Sequence, residues 1–135
     1  MARILEENKH ILCGNPVDPL YLADCKQYLA ETERGDLPSA YSMLLRYVNG
    51  AYGDEVSLFG VLPDEGAGLK DIVAQNEVHH LENGDLLLLG ENVSEWLVYD
   101  KAEAVYCVLD KQDLSEVNSF VDFEDAIAFW FNLEM

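Results

Sequence analysis

Basic residues are scarce in this sequence. Lys and Arg number 8 against 26 Asp and Glu, a formal charge of −18. Nucleic-acid binding needs clustered Lys and Arg to displace the counterions of the phosphates, so no direct nucleic-acid partner is expected. An anionic membrane surface is disfavoured on the same ground. Long apolar runs are missing as well. Runs such as Leu86–Leu89 fall far short of the roughly 20 residues of a membrane-spanning helix. The opening MARILEENKH has no apolar core of signal-peptide length, and the expected location is cytoplasmic.

Cysteine is sparse and badly spaced for chemistry. Cys13, Cys25 and Cys107 form no CxxC pair, so neither a zinc site nor a disulfide framework is signalled, and reduced, mostly buried thiols are expected. No phosphate loop of GxxxxGK[ST] spacing, no DxDxDG calcium loop and no GxSxG or HExxH pattern occurs. His79 and His80 are adjacent, and neighbouring residues diverge on a strand or a helix, so they make a poor chelating pair. Acidic pairs such as Asp54-Glu55, Asp64-Glu65 and Glu124-Asp125 are what 26 acids produce by number alone. No catalytic residue, metal ligand or cofactor is assigned, and the chain is not expected to be an enzyme.

What is present is enough apolar character for a core, at half of 135 residues. Asp18 and Pro19 suit the start of a helix whose Tyr21, Cys25, Tyr28 and Leu29 share one face, with Gly35 as its stop. A second helix carries Tyr41, Leu44, Leu45 and Val48 on its core side and stops at Asn49-Gly50. "AYGDEVSLFGVLPDEG" predicts a loop, a short strand near Val56 to Val61 and a turn at Pro63 to Gly66. "GLKDIVAQNEV" predicts a short helix. "DLLLLG", "EWLVYD" and "AVYCVLD" predict a three-stranded meander, to which "SEVNSF" adds a short fourth strand. Alternation places Val105, Cys107 and Leu109 on one side of the third strand and Tyr106 and Val108 on the other. A last helix from near Ser119 or Asp122 carries Phe123, Ala126, Ile127, Trp130 and Phe131 as its core stripe, which Phe129 and Leu133 widen. That width fits either a well-covered terminal helix or a homodimer contact through Phe129 and Leu133. The pattern predicts an α+β fold. Tyr41, Leu45, Val48, Leu58, Leu88, Leu97, Val105, Cys107, Phe123, Ile127 and Trp130 are expected to be buried.

The order of these pieces resembles the SUKH superfamily. Leu37-Pro38, Tyr41, Leu44-Leu45 and Asn49-Gly50 are similar to its LPxxYxxFLxxxNG signature, with Met43-Leu44 where an aromatic is common. "SLFGV", "DIVAQN", "LLLLGENVSEWLVYD", "AVYCVLD" and "SFVDFEDAI" follow in the order of its later elements. The resemblance covers roughly residues 15–133, and residues 1–135 are taken as one SUKH-like domain. It implies an α+β fold with a central, mostly antiparallel mixed sheet flanked by helices. It also implies a class of activity: many bacterial members resemble immunity proteins that bind and neutralise a toxin, often a nuclease. Others resemble interaction modules, so a regulatory scaffold is the alternative, and a small enzyme with an unrecognised site a third. The signature residues are structural, and no catalytic residue carries over.

The charge is uneven. Residues 1–70 carry a net −5 and residues 71–135 a net −13. An acidic surface either keeps a protein soluble or meets a basic partner, here expected to be a toxin domain. Acids stand beside aromatics at two predicted turns, where Tyr52 precedes Asp54 and Glu55, and Glu91 and Glu95 precede Trp96. These six are the candidate partner-binding residues. Trp96 has two possible orientations, as an exposed anchor or facing the core at the start of its strand.

Overall fold

In a computed structural model the described residues are 2–7, 11–31, 37–61, 69–79 and 85–133. They form five helices, α1 (Ala2–Glu7), α2 (Pro19–Glu31), α3 (Ser39–Leu45), α4 (Ile72–Val78) and α5 (Phe123–Trp130). The strands are β1 (Leu12–Cys13), β2 (Ala51–Gly53), β3 (Val56–Leu58), β4 (Leu86–Glu91), β5 (Glu95–Asp100), β6 (Val105–Asp110) and β7 (Glu116–Phe120). The expected α+β class is what the chain adopts. Gly35, His80, His10 and the Pro63–Gly66 turn lie outside the described residues.

The seven strands lie in one sheet in chain order, and each pairs antiparallel with the next. The expected, mostly antiparallel sheet with flanking helices is what forms. The one parallel pairing among the described residues is the isolated bridge Gly60–Asp71 at the approach to α4.

Helices cover both faces of the sheet centre. On one side the α5 ring of Phe123 lies 5.0 Å from Tyr106, and the Trp130 indole N–H donates to the Ser57 carbonyl at 3.1 Å. On the other, α4 brings His79 against Trp96 and hooks β4 through Asn76. The register of β4 slips between Leu88 and Gly90, and the Asn76 amide bonds both the N–H (2.9 Å) and the C=O (3.0 Å) of Leu88 there. Tyr106, Cys107, Val108 and Leu109 are consequently all buried. Strict alternation along β6 does not divide inside from outside, because neither face is solvent. The eleven residues expected to be buried are so except Val105, at the start of β6, which is half-buried, as is Phe131 of the expected α5 stripe.

Two helices differ from expectation. Asp18 does accept the Leu20 N–H at 2.9 Å at the start of α2. The buried stripe of α2 is Leu22, Cys25 and Leu29, with Tyr21 and Tyr28 exposed. The Tyr28 hydroxyl instead donates to Glu77 of α4, so this amphipathic ring keeps its polar end at the surface. α3 ends at Leu45, before Asn49. Asn49 is buried, and its side chain takes the Val61 N–H at 2.7 Å and gives to the Val61 C=O at 2.8 Å, as a neighbouring strand would. A Cβ on Gly60 would stand 2.6 Å from the Asn49 carbonyl, so only glycine admits this approach. Asn49-Gly50 thus latches the chain after α3 onto the sheet rather than capping a helix.

Candidate functional site

One cross-strand row links all seven strands. Leu12 stands opposite Tyr52, Tyr52 opposite Ser57, Ser57 opposite Glu91, Glu91 opposite Trp96, Trp96 opposite Leu109, and Leu109 opposite Glu116. Directly opposed residues share a face of the sheet. Tyr52, distant in sequence from Glu91 and Trp96, therefore lies on the same side as they do.

The β2–β3 hairpin turns on two residues, Asp54 and Glu55. Both have positive φ, 54° and 66°. A two-residue hairpin of the mirror-image type I demands this geometry and normally recruits Asn-Gly or Asp-Gly. Glu55 takes it at the steric cost of a Cβ in the left-handed region, roughly 1–2 kcal/mol. Both carboxylates are exposed, and neither makes an ion pair among the described residues. Tyr52, 38% exposed, stands behind them beside the exposed Leu12.

At the β4–β5 turn the acids are engaged. The Asn92 side-chain oxygen accepts the N–H groups of Ser94 (3.0 Å) and Glu95 (2.8 Å), and its amide donates to the Glu95 carboxylate at 2.9 Å. Glu91 is gripped from two sides, by the Lys70 ammonium and by the Lys111 ammonium at 3.1 Å. Burial pushes its carboxyl up, but the hydrogen bonds and charges of the two lysines outweigh that and hold it below the ordinary carboxylate range. Lys111 also lies 4.3 Å above the Trp96 ring centroid, with the His79 ring 4.8 Å away. Trp96 is only 6% exposed. Of its two possible orientations it takes the inward one, so an exposed Trp96 anchor is corrected.

Between the two turns lies a shallow cavity of about 220 Å³, lined by Tyr52, Glu55, Ser57, Glu91, Val93 and Lys111 among others. The Ser57 hydroxyl at its floor has no hydrogen-bond partner among the described residues. Tyr52, Glu55 and Glu91 meet here; Glu95 and Trp96 do not line it but contact its lining residues Asn92 and Lys111. Sequence reasoning missed Lys70, Lys111 and Ser57. The signal available for Lys111 was rarity, since the only Lys or Arg in residues 71–135 are Lys101 and Lys111. A larger cleft of about 400 Å³, lined by Val17, Pro19, Leu22, Ala23, Lys26 and Arg46, contains none of the expected residues.

Among the described residues no three His, Cys, Asp or Glu side chains are grouped to hold a metal ion. None of the described helices is long and apolar enough to cross a membrane. No protein-family model matches the chain, and no curated protein matches it.

Proposed function

We propose that this chain is a non-catalytic binding protein that engages a basic protein partner through the Tyr52–Glu55 hairpin. The observation that carries this reading is the hairpin tip. Two acidic residues occupy left-handed backbone positions where glycine costs less, and both are exposed with no ion pair among the described residues. Unpaired carboxylates beside a partly exposed tyrosine suit electrostatic steering followed by an aromatic contact. Glu91 contributes differently from the hairpin acids. Its charge is balanced by Lys70 and Lys111, and it fixes the wall against which the hairpin stands.

The partner's class follows from the SUKH resemblance and the net charge of −18. The reading is a bacterial immunity protein that neutralises a toxin domain, a cationic nuclease being the class whose surface an acidic inhibitor matches. The test is co-expression with the product of the coding sequence directly upstream of its own. The expected result is a stable complex in which the toxin's activity is lost. A complex that leaves activity intact moves the reading to a scaffold of the same fold. No complex at micromolar concentration refutes it.

A further inference from the structure

We infer that the free edge of β7 is a docking site for an extended basic segment of a partner, which joins the sheet as an eighth strand. β7 is the last strand of the sheet. The residues from Gln112 to Ser119 are all exposed, whereas β4, β5 and β6 are buried at their centres on both faces. An edge of this kind offers unpaired backbone N–H and C=O groups to an incoming strand. The opposite edge, β1, is two residues long and too short to set a register.

The local geometry leaves the edge open without leaving it bare. Leu109 pairs Glu116 and Val108 pairs Asn118, so Val117 is a bulge with no partner on β6. The Ser119 N–H donates to the side-chain oxygen of Asn118 at 2.9 Å, a one-residue contact that a guest carbonyl can replace. Exposed apolar side chains flank the edge: Val117, Val121, and Phe129 of α5, whose ring lies 5.3 Å from Phe120.

Charge selects the occupant. Residues 112–133 contain Asp113, Glu116, Asp122, Glu124 and Asp125 and no Lys or Arg. A second copy pairing edge to edge would bring two such sets together, and like charges across a pair oppose it. A segment alternating basic and apolar residues would meet the acids and Val117 together. This rests on the reading above in one respect, the positive charge of the partner.

The test uses the full chain and a blocked heptapeptide of alternating Val and Lys as probe, followed by amide NMR at low salt. Two twins of the peptide carry backbone N-methyl groups, one on the Val amides and one on the Lys amides. Strand pairing uses one edge of the guest, so one twin should bind about tenfold weaker or worse while the other binds like the parent. Parent binding should shift the resonances of Glu116–Phe120. Twins that both bind like the parent, or no binding at about 1 mM, overturn the inference. Shifts confined to Tyr52–Val56 also overturn it but leave the hairpin reading standing. A chain that sediments as a dimer with β7 protected from amide exchange assigns the edge to a second copy and overturns it as well.

Discussion

Glu91 stands directly opposite Trp96 in the β4–β5 pair, and Lys111 holds both, with its ammonium 3.1 Å from the carboxylate and 4.3 Å from the ring centroid. One lysine thereby joins the β6–β7 turn to two strands. Its backbone N–H also donates to Ser94 at 2.9 Å, which docks the two turns together. Lys111 is thus held at three points of the cavity wall.

The depressed Glu91 carboxyl gives a pH signature. A folded-state value below the unfolded one contributes stability that is present above the unfolded value, about 4.3, and is lost as pH falls through the folded one. Glu91→Gln should therefore be less stable than wild type by about 1 kcal/mol at pH 7, with the gap closing below about pH 4. The other acids titrate in both proteins and cancel in the difference. Urea unfolding at a series of pH values measures it. A gap independent of pH contradicts the assignment.

Asn49→Ala should cost about 2–4 kcal/mol, because it leaves both the N–H and the C=O of Val61 buried and unpaired. The midpoint of urea unfolding should fall with an unchanged slope. A loss below about 0.5 kcal/mol would mean that Asn49 acts only as a turn residue.

The thiols should react in order of access. Burial pushes the Cys107 thiol up to about 12, helped by its contact with the Glu116 carboxylate at 3.5 Å. Burial and the charge of Glu6 raise Cys13 less, and it is half-buried. A thiol reagent at pH 8 should label Cys13 first in the native chain, and Cys25 and Cys107 only on unfolding. Fast labelling of Cys107 in the folded protein would contradict its burial.

Much of the architecture is legible because it is periodic. The meander from Leu86 to Asp110 and the α5 stripe of Phe123, Ala126, Ile127 and Trp130 follow from apolar spacing alone. β2 was hidden because its hairpin turns on Asp-Glu, without the glycine that marks such turns, so Ala51–Gly53 reads as loop. Asn49 reads as a helix stop because its bonds to Val61 are tertiary and span twelve positions. The direction of Trp96 was open because β5 is covered on both faces, and alternation then carries no information. The candidate hairpin acids were visible as residues; that Glu91 and Glu95 are already engaged was not, since Lys70 lies 21 positions from Glu91.

The hairpin tip should trade stability against binding. Glu55→Gly removes a Cβ from a position with φ of 66° and should stabilise the fold by about 1 kcal/mol, or roughly 3 °C in Tm. A destabilised variant would mean that the Glu55 side chain makes a contact worth more than its backbone strain.

The most direct measurement is the rate at which the product of the coding sequence directly upstream, the proposed partner, associates with wild type and with the double variant Asp54→Asn, Glu55→Gly, as salt rises. The double variant keeps a two-residue hairpin that Asn-Gly favours, so the fold is retained while both free carboxylates are removed. The predicted result is association several-fold slower at low salt, with the two rates converging as screening shortens towards about 8 Å at physiological ionic strength. Equal rates and equal salt dependence in the two proteins would contradict the hairpin as the surface that meets a basic partner.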